Sequence, residues 1–268
     1  MRFGYCVNMI AADPHGVGYD WIPQLAALGF DYIDLPMAQM MALDDGAFRA
    51  LVADPLAASG LPCVCVNNLF PASIRLTGPD ADWNAALRYA EKAFSRAEIL
   101  GARRAVFGSS GARNVPLFWP GEQATTQLAE FLGLLADRAA THDVTLVLEP
   151  LNRGESNILT NIAESVRLCR QVSHPAVQML ADYYHMSLSG EAPSDLVLTA
   201  GRLRHVHIAR PLGRGLPTEG DGEDYHTFLS MLETIGYVGG VSIEAYAPEH
   251  TAEAIRTSLA YLRSQLED

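Results

Sequence analysis

Short apolar runs alternate with longer amphipathic stretches from one end of the chain to the other. The runs that read as strands are Phe3–Cys6, Tyr32–Leu35, Cys63–Val66, Arg104–Phe107, Thr145–Glu149, Val177–Asp182, Leu203–His207 and Val241–Glu244. Between and after them, stretches near 18–28, 46–58, 82–100, 121–142, 160–172, 190–200, 223–235 and 250–265 read as helices. Eight strand–helix units in succession predict an α/β fold, a single (β/α)8 TIM barrel over 1–268. The alternative is an open, doubly wound sheet. Such a sheet usually has a glycine-rich phosphate turn after its first strand, whereas Val7-Asn8-Met9 follows here. Glycines stand just ahead of the second, third, fourth and eighth strands, where a short helix-to-strand loop needs a positive φ. No linker, repeat or low-complexity segment interrupts the pattern.

Composition narrows the class. At 268 residues and 49% hydrophobic, the chain can bury one large core. It has no apolar run of about 18 residues, so no membrane span is expected. Its N-terminus lacks the order of a signal peptide, which points to the cytoplasm. A net charge of −12 with no basic run argues against a nucleic-acid partner. Cys6, Cys63, Cys65 and Cys169 show no framework spacing and read as free thiols. The single lysine, Lys92, lies mid-helix, far from any strand end, which argues against Schiff-base chemistry.

The candidate chemistry lies at strand ends. Four consecutive strands end on Glu149, Asp182, His207 and Glu244. Active sites of parallel barrels sit at the C-terminal ends of their strands, so these four form a candidate metal site. Oxygen-rich ligation with one imidazole favours Mn²⁺ first, then Mg²⁺ or Co²⁺, and Zn²⁺ is compatible. His205 faces the same way as His207 and reads as a core histidine or as a donor behind the site. The loops after strands three, four and seven are rich in small and polar residues, which suits a hydroxylated small ligand. Cys6, Asn67, Phe70, Gly108, Trp119 and Tyr246 are candidates to line its far end, with Phe70 and Trp119 equally readable as buried loop anchors and Cys6 as a core residue. Gly108-Ser109-Ser110-Gly111 with Arg113 offers a weaker alternative, a phosphate site.

The stretches EPLNRGE (149–155), ADYYHM (181–186), HVHIAR (205–210) and SIEAY (242–246) resemble the xylose isomerase-like barrels. Within that superfamily they are most similar to the ketose 3-epimerases and the sugar-phosphate isomerase/epimerase group. The resemblance follows strand order through the whole chain, but its sharp motifs lie between 149 and 246. It implies that Glu149, Asp182, His207 and Glu244 bind one divalent metal, and that Glu149 and Glu244 are the acid/base pair. It also implies that His185 contacts a substrate oxygen and that Glu155 binds a hydroxyl or a nearby histidine. An arginine is expected shortly after the last ligand histidine. The usual Gly-Glu-x-Asn is missing there, so Arg210 is the nearest candidate and Arg214 the alternative.

The chemistry implied is proton transfer beside a ketone through a cis-enediolate, giving an epimerase or isomerase of a ketose or related polyhydroxy ketone. Three other classes use the same fold or residues. One is a metal-dependent lyase acting on an oxidised sugar or C-glycoside, with or without a partner subunit. Another is a non-catalytic sugar binder. The third, a three-zinc nuclease, needs extra histidines on earlier strands, where Asn67 and Gly108 stand. The resemblance implies a homodimer or homotetramer.

Overall fold

The computed structural model describes residues 1–10, 17–199, 201–247 and 252–266. Eight strands are present: β1 (Arg2–Cys6), β2 (Tyr32–Pro36), β3 (Cys63–Asn67), β4 (Arg104–Phe107), β5 (Thr145–Leu148), β6 (Val177–Asp182), β7 (Leu203–Ile208) and β8 (Gly240–Ile243). They pair in parallel in chain order, and β8 closes on β1 from Arg2↔Gly240 to Tyr5↔Ile243. The expected barrel is therefore the observed one. Glu149 and Glu244 each fall one residue beyond their strand, at the mouth of the barrel.

The helices show why the units repeat. Asp82 caps the helix Trp83–Leu100 by accepting from Ala85 N, and Gly101 ends it in the left-handed region at φ 75°. Its buried face, including Ala86, Ala90, Ala93, Phe94 and Ala97, packs inward, and three residues after its end the chain enters β4. Gly121–Thr141, Ile162–Val172, Tyr225–Thr234 and Ala252–Ser264 likewise each bury one apolar face.

Two expected stretches differ in detail. The 46–58 stretch is broken into Asp45–Phe48, a wider π turn at Arg49–Ala53, and Asp54–Ser59. The wide turn lies just ahead of Pro55, which has no N–H to donate and crowds the carbonyl four residues earlier. The 190–200 stretch forms a 3-10 helix, Pro193–Thr199. Positions 200, 250 and 251 of the expected helices lie outside the described residues. Short helices not expected from periodicity, Met37–Met41, Ser110–Arg113 and Tyr183–Leu188, follow β2, β4 and β6.

The barrel interior divides into two halves. Cys65, Val106, Val147 and Leu180, from β3 to β6, form an apolar cluster of their own. From β2, β7 and β8 come Tyr32, Asp34, His205, His207 and Ser242, all buried. Tyr32 fits because two strands facing it carry glycine. A Cβ at Gly4 would stand 2.1 Å from the Tyr32 ring, and one at Gly240 would stand 2.4 Å from it. All four cysteines are free and buried. No helix among the described residues is long and apolar enough to cross a membrane.

Gly4→Ala drives a methyl group into a packed ring held by two strands, so it should lower unfolding stability by about 1–3 kcal/mol or more. Urea denaturation measures this, and an unchanged midpoint would contradict the packing described.

Candidate functional site

Glu149, Asp182, His207 and Glu244 converge at the C-terminal mouth. All four are buried, and one donor atom from each lies within 4.8 Å of the others. His207 Nδ1 is 3.0 Å from Glu244 Oε2 and 3.4 Å from Glu149 Oε1. Among the described residues, neither His207 Nδ1 nor Glu149 Oε1 has a hydrogen-bond partner. Buried polar atoms are normally satisfied, so two unpartnered donor-type atoms in one cluster suit coordination of a cation. The whole donor set, three carboxylates and one imidazole, fits a hard divalent ion.

Local structure explains how each ligand is aimed. Asp182 ends β6 and caps the next helix, its Oδ1 accepting from Tyr184 N at 2.9 Å. That leaves Oδ2 for the cluster. His185, three residues on, returns to the same side, with Nε2 3.6 Å from Asp182 Oδ2. Glu149 has room only because residue 108 is glycine, where a Cβ would stand 2.2 Å from Glu149 Oε2. Beneath it, buried Arg113 donates to the carbonyls of Phe107 at 2.7 Å and Glu149 at 2.8 Å, tying β4 to the end of β5.

The site is electrostatically polarised. Burial would raise the Glu244 carboxyl, but His207 and Arg214 hold it well below the usual range. Burial pushes Asp182 up to about 7 against the pull of Arg214, with Glu244 and Glu149 adding to the rise. For His207, burial favours the neutral ring, yet Glu244 and other anionic neighbours raise it well above its ordinary value. Burial, and then Arg214, hold His185 well below its ordinary value, so its ring is neutral.

Asn67 and Glu155 lie at the edge of the cluster. Asn67 Nδ2 is 3.0 Å from Asn8 Oδ1 and 3.4 Å from Glu244 Oε1. Glu155 accepts from Asn152 Nδ2 at 3.1 Å and lies 3.7 Å from Arg214 Nη1.

Several candidates fall away, and for some the alternative reading holds. Arg210 does not reach the cluster: its Nε donates to Leu212 O at 3.1 Å, and its guanidinium lies over Gly215. Arg214 occupies the site instead, with Nη2 2.5 Å from Glu244 Oε2 and 3.4 Å from Asp182 Oδ2. Gly213 at φ 71° and Arg214 at φ 48° make the turn that aims it, a left-handed pair that periodicity does not reveal. Cys6 is not a lining residue. It is fully buried behind His207, with Sγ 3.8 Å from Nε2, the nitrogen turned away from Glu244.

The phosphate alternative fails because Gly108 faces Glu149 and the Arg113 guanidinium is committed to two carbonyls. Phe70 and Trp119 are loop anchors. Phe70 is buried among Tyr89, Phe107 and Phe131, and Trp119 Nε1 donates to Gln127 Oε1 at 3.1 Å. Tyr246 is 54% exposed and follows the cluster by two residues, with its N–H donating to Arg214 O at 2.8 Å.

Sequence reasoning missed Asp34 and the role of Asn152, and it gave Arg113 a different role. Asp34 had a readable signal, since an acid inside the buried run Tyr-Ile-Asp-Leu-Pro must have a partner. Asn152 donates its backbone N–H to His185 Nδ1 at 3.1 Å. Arg113 carried no periodic signal of burial.

Comparison with known proteins places the chain in a family. Residues 22–265 match the family described as xylose isomerase-like TIM barrel. The chain belongs to that family. A family relative from Arthrobacter globiformis, named ketose 3-epimerase, is 27% identical over 94% of this chain and 85% of its own length. One from Agrobacterium fabrum, named D-psicose 3-epimerase, is 25% identical over 84% of this chain and 78% of its own. In fold, the chain superposes on a D-psicose 3-epimerase from Clostridium cellulolyticum solved with D-tagatose, with a TM-score of 0.88, 19% identity and 100% of both chains covered.

Gly108→Ala displaces Glu149 without straining the backbone. It should weaken divalent-metal binding by about tenfold or more, a loss of the size seen when groups that orient a ligand are changed. Isothermal titration of the stripped protein measures this, and native affinity in the folded variant would detach Glu149 from the cluster.

Proposed function

We propose that this chain is a divalent-metal-dependent epimerase or isomerase acting on a ketose or a related polyhydroxy ketone. The observation that carries the reading is the pair of buried carboxylates, Glu149 and Glu244, held in one cluster with Asp182 and His207. The names of the relatives, ketose 3-epimerase and D-psicose 3-epimerase, support the substrate class.

Glu149, Asp182, His207 and Glu244 would hold the ion, with Mn²⁺ the preferred candidate by donor type. A bound divalent ion acts there as a Lewis acid that makes the carbon beside a carbonyl more acidic. The remaining steps belong to the protein. One glutamate takes the proton from the carbon beside the ketone, leaving an enediolate. A proton returned by the other glutamate from the opposite face inverts that carbon, which is epimerisation. Return at the neighbouring carbon gives aldose–ketose isomerisation.

Two cationic or donor groups stabilise the charge that develops. His185 Nδ1 accepts the Asn152 N–H, so its own proton belongs on Nε2, a buried donor with no hydrogen-bond partner among the described residues. That N–H is free to donate to a substrate oxygen. Arg214, 4.6 Å over the Tyr184 ring and paired with Glu244, places its guanidinium against the same side of the cluster. Preorganised donors of this kind are worth about 10²–10³ in rate each.

Glu149→Gln and Glu244→Gln should each lower kcat/KM by about 10³ or more, since each removes a proton carrier. Steady-state assays on ketohexoses and ketopentoses test this, and near-native turnover in either variant would sink the two-glutamate mechanism. Chelation with EDTA should abolish turnover, and Mn²⁺ should restore it. Arg214→Met should cost about 10²-fold in kcat/KM, whereas Arg210→Met should stay within a few-fold of native. The reverse order would return Arg210 to the site.

A further inference from the structure

We infer that Asp34 is a positioning residue for the metal centre: from one layer below, it orients the His207 ring so that Nδ1 faces Glu149 and Glu244. This rests on the metal-dependent reading above and extends it into the barrel interior.

The geometry puts a carboxylate at both edges of one imidazole. On the cluster side, His207 Nδ1 is 3.0 Å from Glu244 Oε2. On the opposite side, His207 Nε2 is 3.6 Å from Asp34 Oδ2. The thiol of Cys6 sits between them, 3.8 Å from His207 Nε2 and 3.8 Å from Asp34 Oδ2. At 3.6 Å the carboxylate acts by charge rather than by a hydrogen bond. A ligating imidazole must keep its lone pair on the metal side and its proton on the other nitrogen, and a carboxylate facing that nitrogen favours this arrangement.

Asp34 is in turn held by a column of buried groups. His205 Nε2 is 2.7 Å from Asp34 Oδ2, and Ser242 Oγ is 3.3 Å from the same nitrogen. Ser242 donates to the Tyr32 hydroxyl at 3.1 Å, and Tyr32 fits only because Gly4 and Gly240 lack side chains. Strand pairing fixes the register, with Asp34 opposite both Cys6 and Cys65, and His207 opposite Ser242.

A structural role alone does not account for this. Interior layers of such barrels are filled by branched aliphatics, as Val106, Val147 and Leu180 fill the other half here. Burying a carboxylate with two imidazoles is costly, and an aliphatic residue would stabilise the layer more simply. The polar residues come from β7, which carries His207, from its neighbour β8, and from β2, which carries Asp34.

Mn²⁺ titration of the metal-stripped protein tests the inference, with free Mn²⁺ followed by electron paramagnetic resonance and folding by circular dichroism. Asp34→Asn should raise the Mn²⁺ dissociation constant by about 10–100-fold while the stoichiometry stays at about one ion per chain. His205→Gln, which replaces the imidazole bonded to Asp34 and keeps all four ligand residues, should raise it about 3–10-fold, a fraction of the effect of a direct orienting partner.

An Asp34→Asn protein that folds and binds Mn²⁺ within about twofold of native would overturn the positioning role, leaving the metal site intact. If Asp34→Asn fails to fold, native affinity in His205→Gln overturns it. Loss of one of two bound ions in Asp34→Asn would make Asp34 a ligand and also overturn it. No Mn²⁺ binding by the native chain would overturn both this inference and the metal-dependent reading.

Discussion

Three buried carboxylates meeting within one cluster set the central constraint of this molecule. Like charges a few ångströms apart repel by several kcal/mol even at a generous effective dielectric. The protein answers with His207 inside the cluster and Arg214 against it, 2.5 Å from Glu244. Charge within the chain is still negative there, with Glu149, Asp182 and Glu244 against one guanidinium and one imidazole. The proposed divalent cation would complete the balance.

The barrel makes the convergence affordable in conformational terms. Parallel strands all end on one face, so single residues at the ends of β5, β6, β7 and β8 meet without any loop having to fold over. Small side chains then leave space. Gly108 admits Glu149, while Gly4 and Gly240 admit Tyr32 beneath the polar layer. Buried Arg113 holds the backbone of Phe107 and Glu149 together, so the carboxylate is anchored through its own carbonyl. Rigid support of this kind is what a site needs in order to hold reacting groups in position.

Much of this was legible in the sequence because it follows simple periods. Strand–helix alternation predicted all eight strands to within one or two residues, and an acid or histidine closing each of four strands marked the cluster. What could not be read depended on backbone turns and on the phase of burial. Arg214 displaces Arg210 because Gly213 and Arg214 both adopt positive φ, which moves the next guanidinium into the mouth. Cys6 and Arg113 looked like loop-face residues, but strand phase turns Cys6 behind His207, and Arg113 finds its carbonyls only once β4 and β5 are side by side. Trp119 sits on a loop whose course is fixed by Gln127, a partner eight residues on that no motif marks.

Solvent-hydrogen exchange tests the central claim most directly. The Mn²⁺-loaded protein would be incubated in D₂O with ketohexoses, ketopentoses, inososes and their phosphates, then quenched with chelator and examined by proton NMR. The account predicts metal-dependent deuterium incorporation at a carbon beside the carbonyl of at least one substrate. No exchange across that panel, with the ion demonstrably bound, would contradict proton transfer by Glu149 and Glu244.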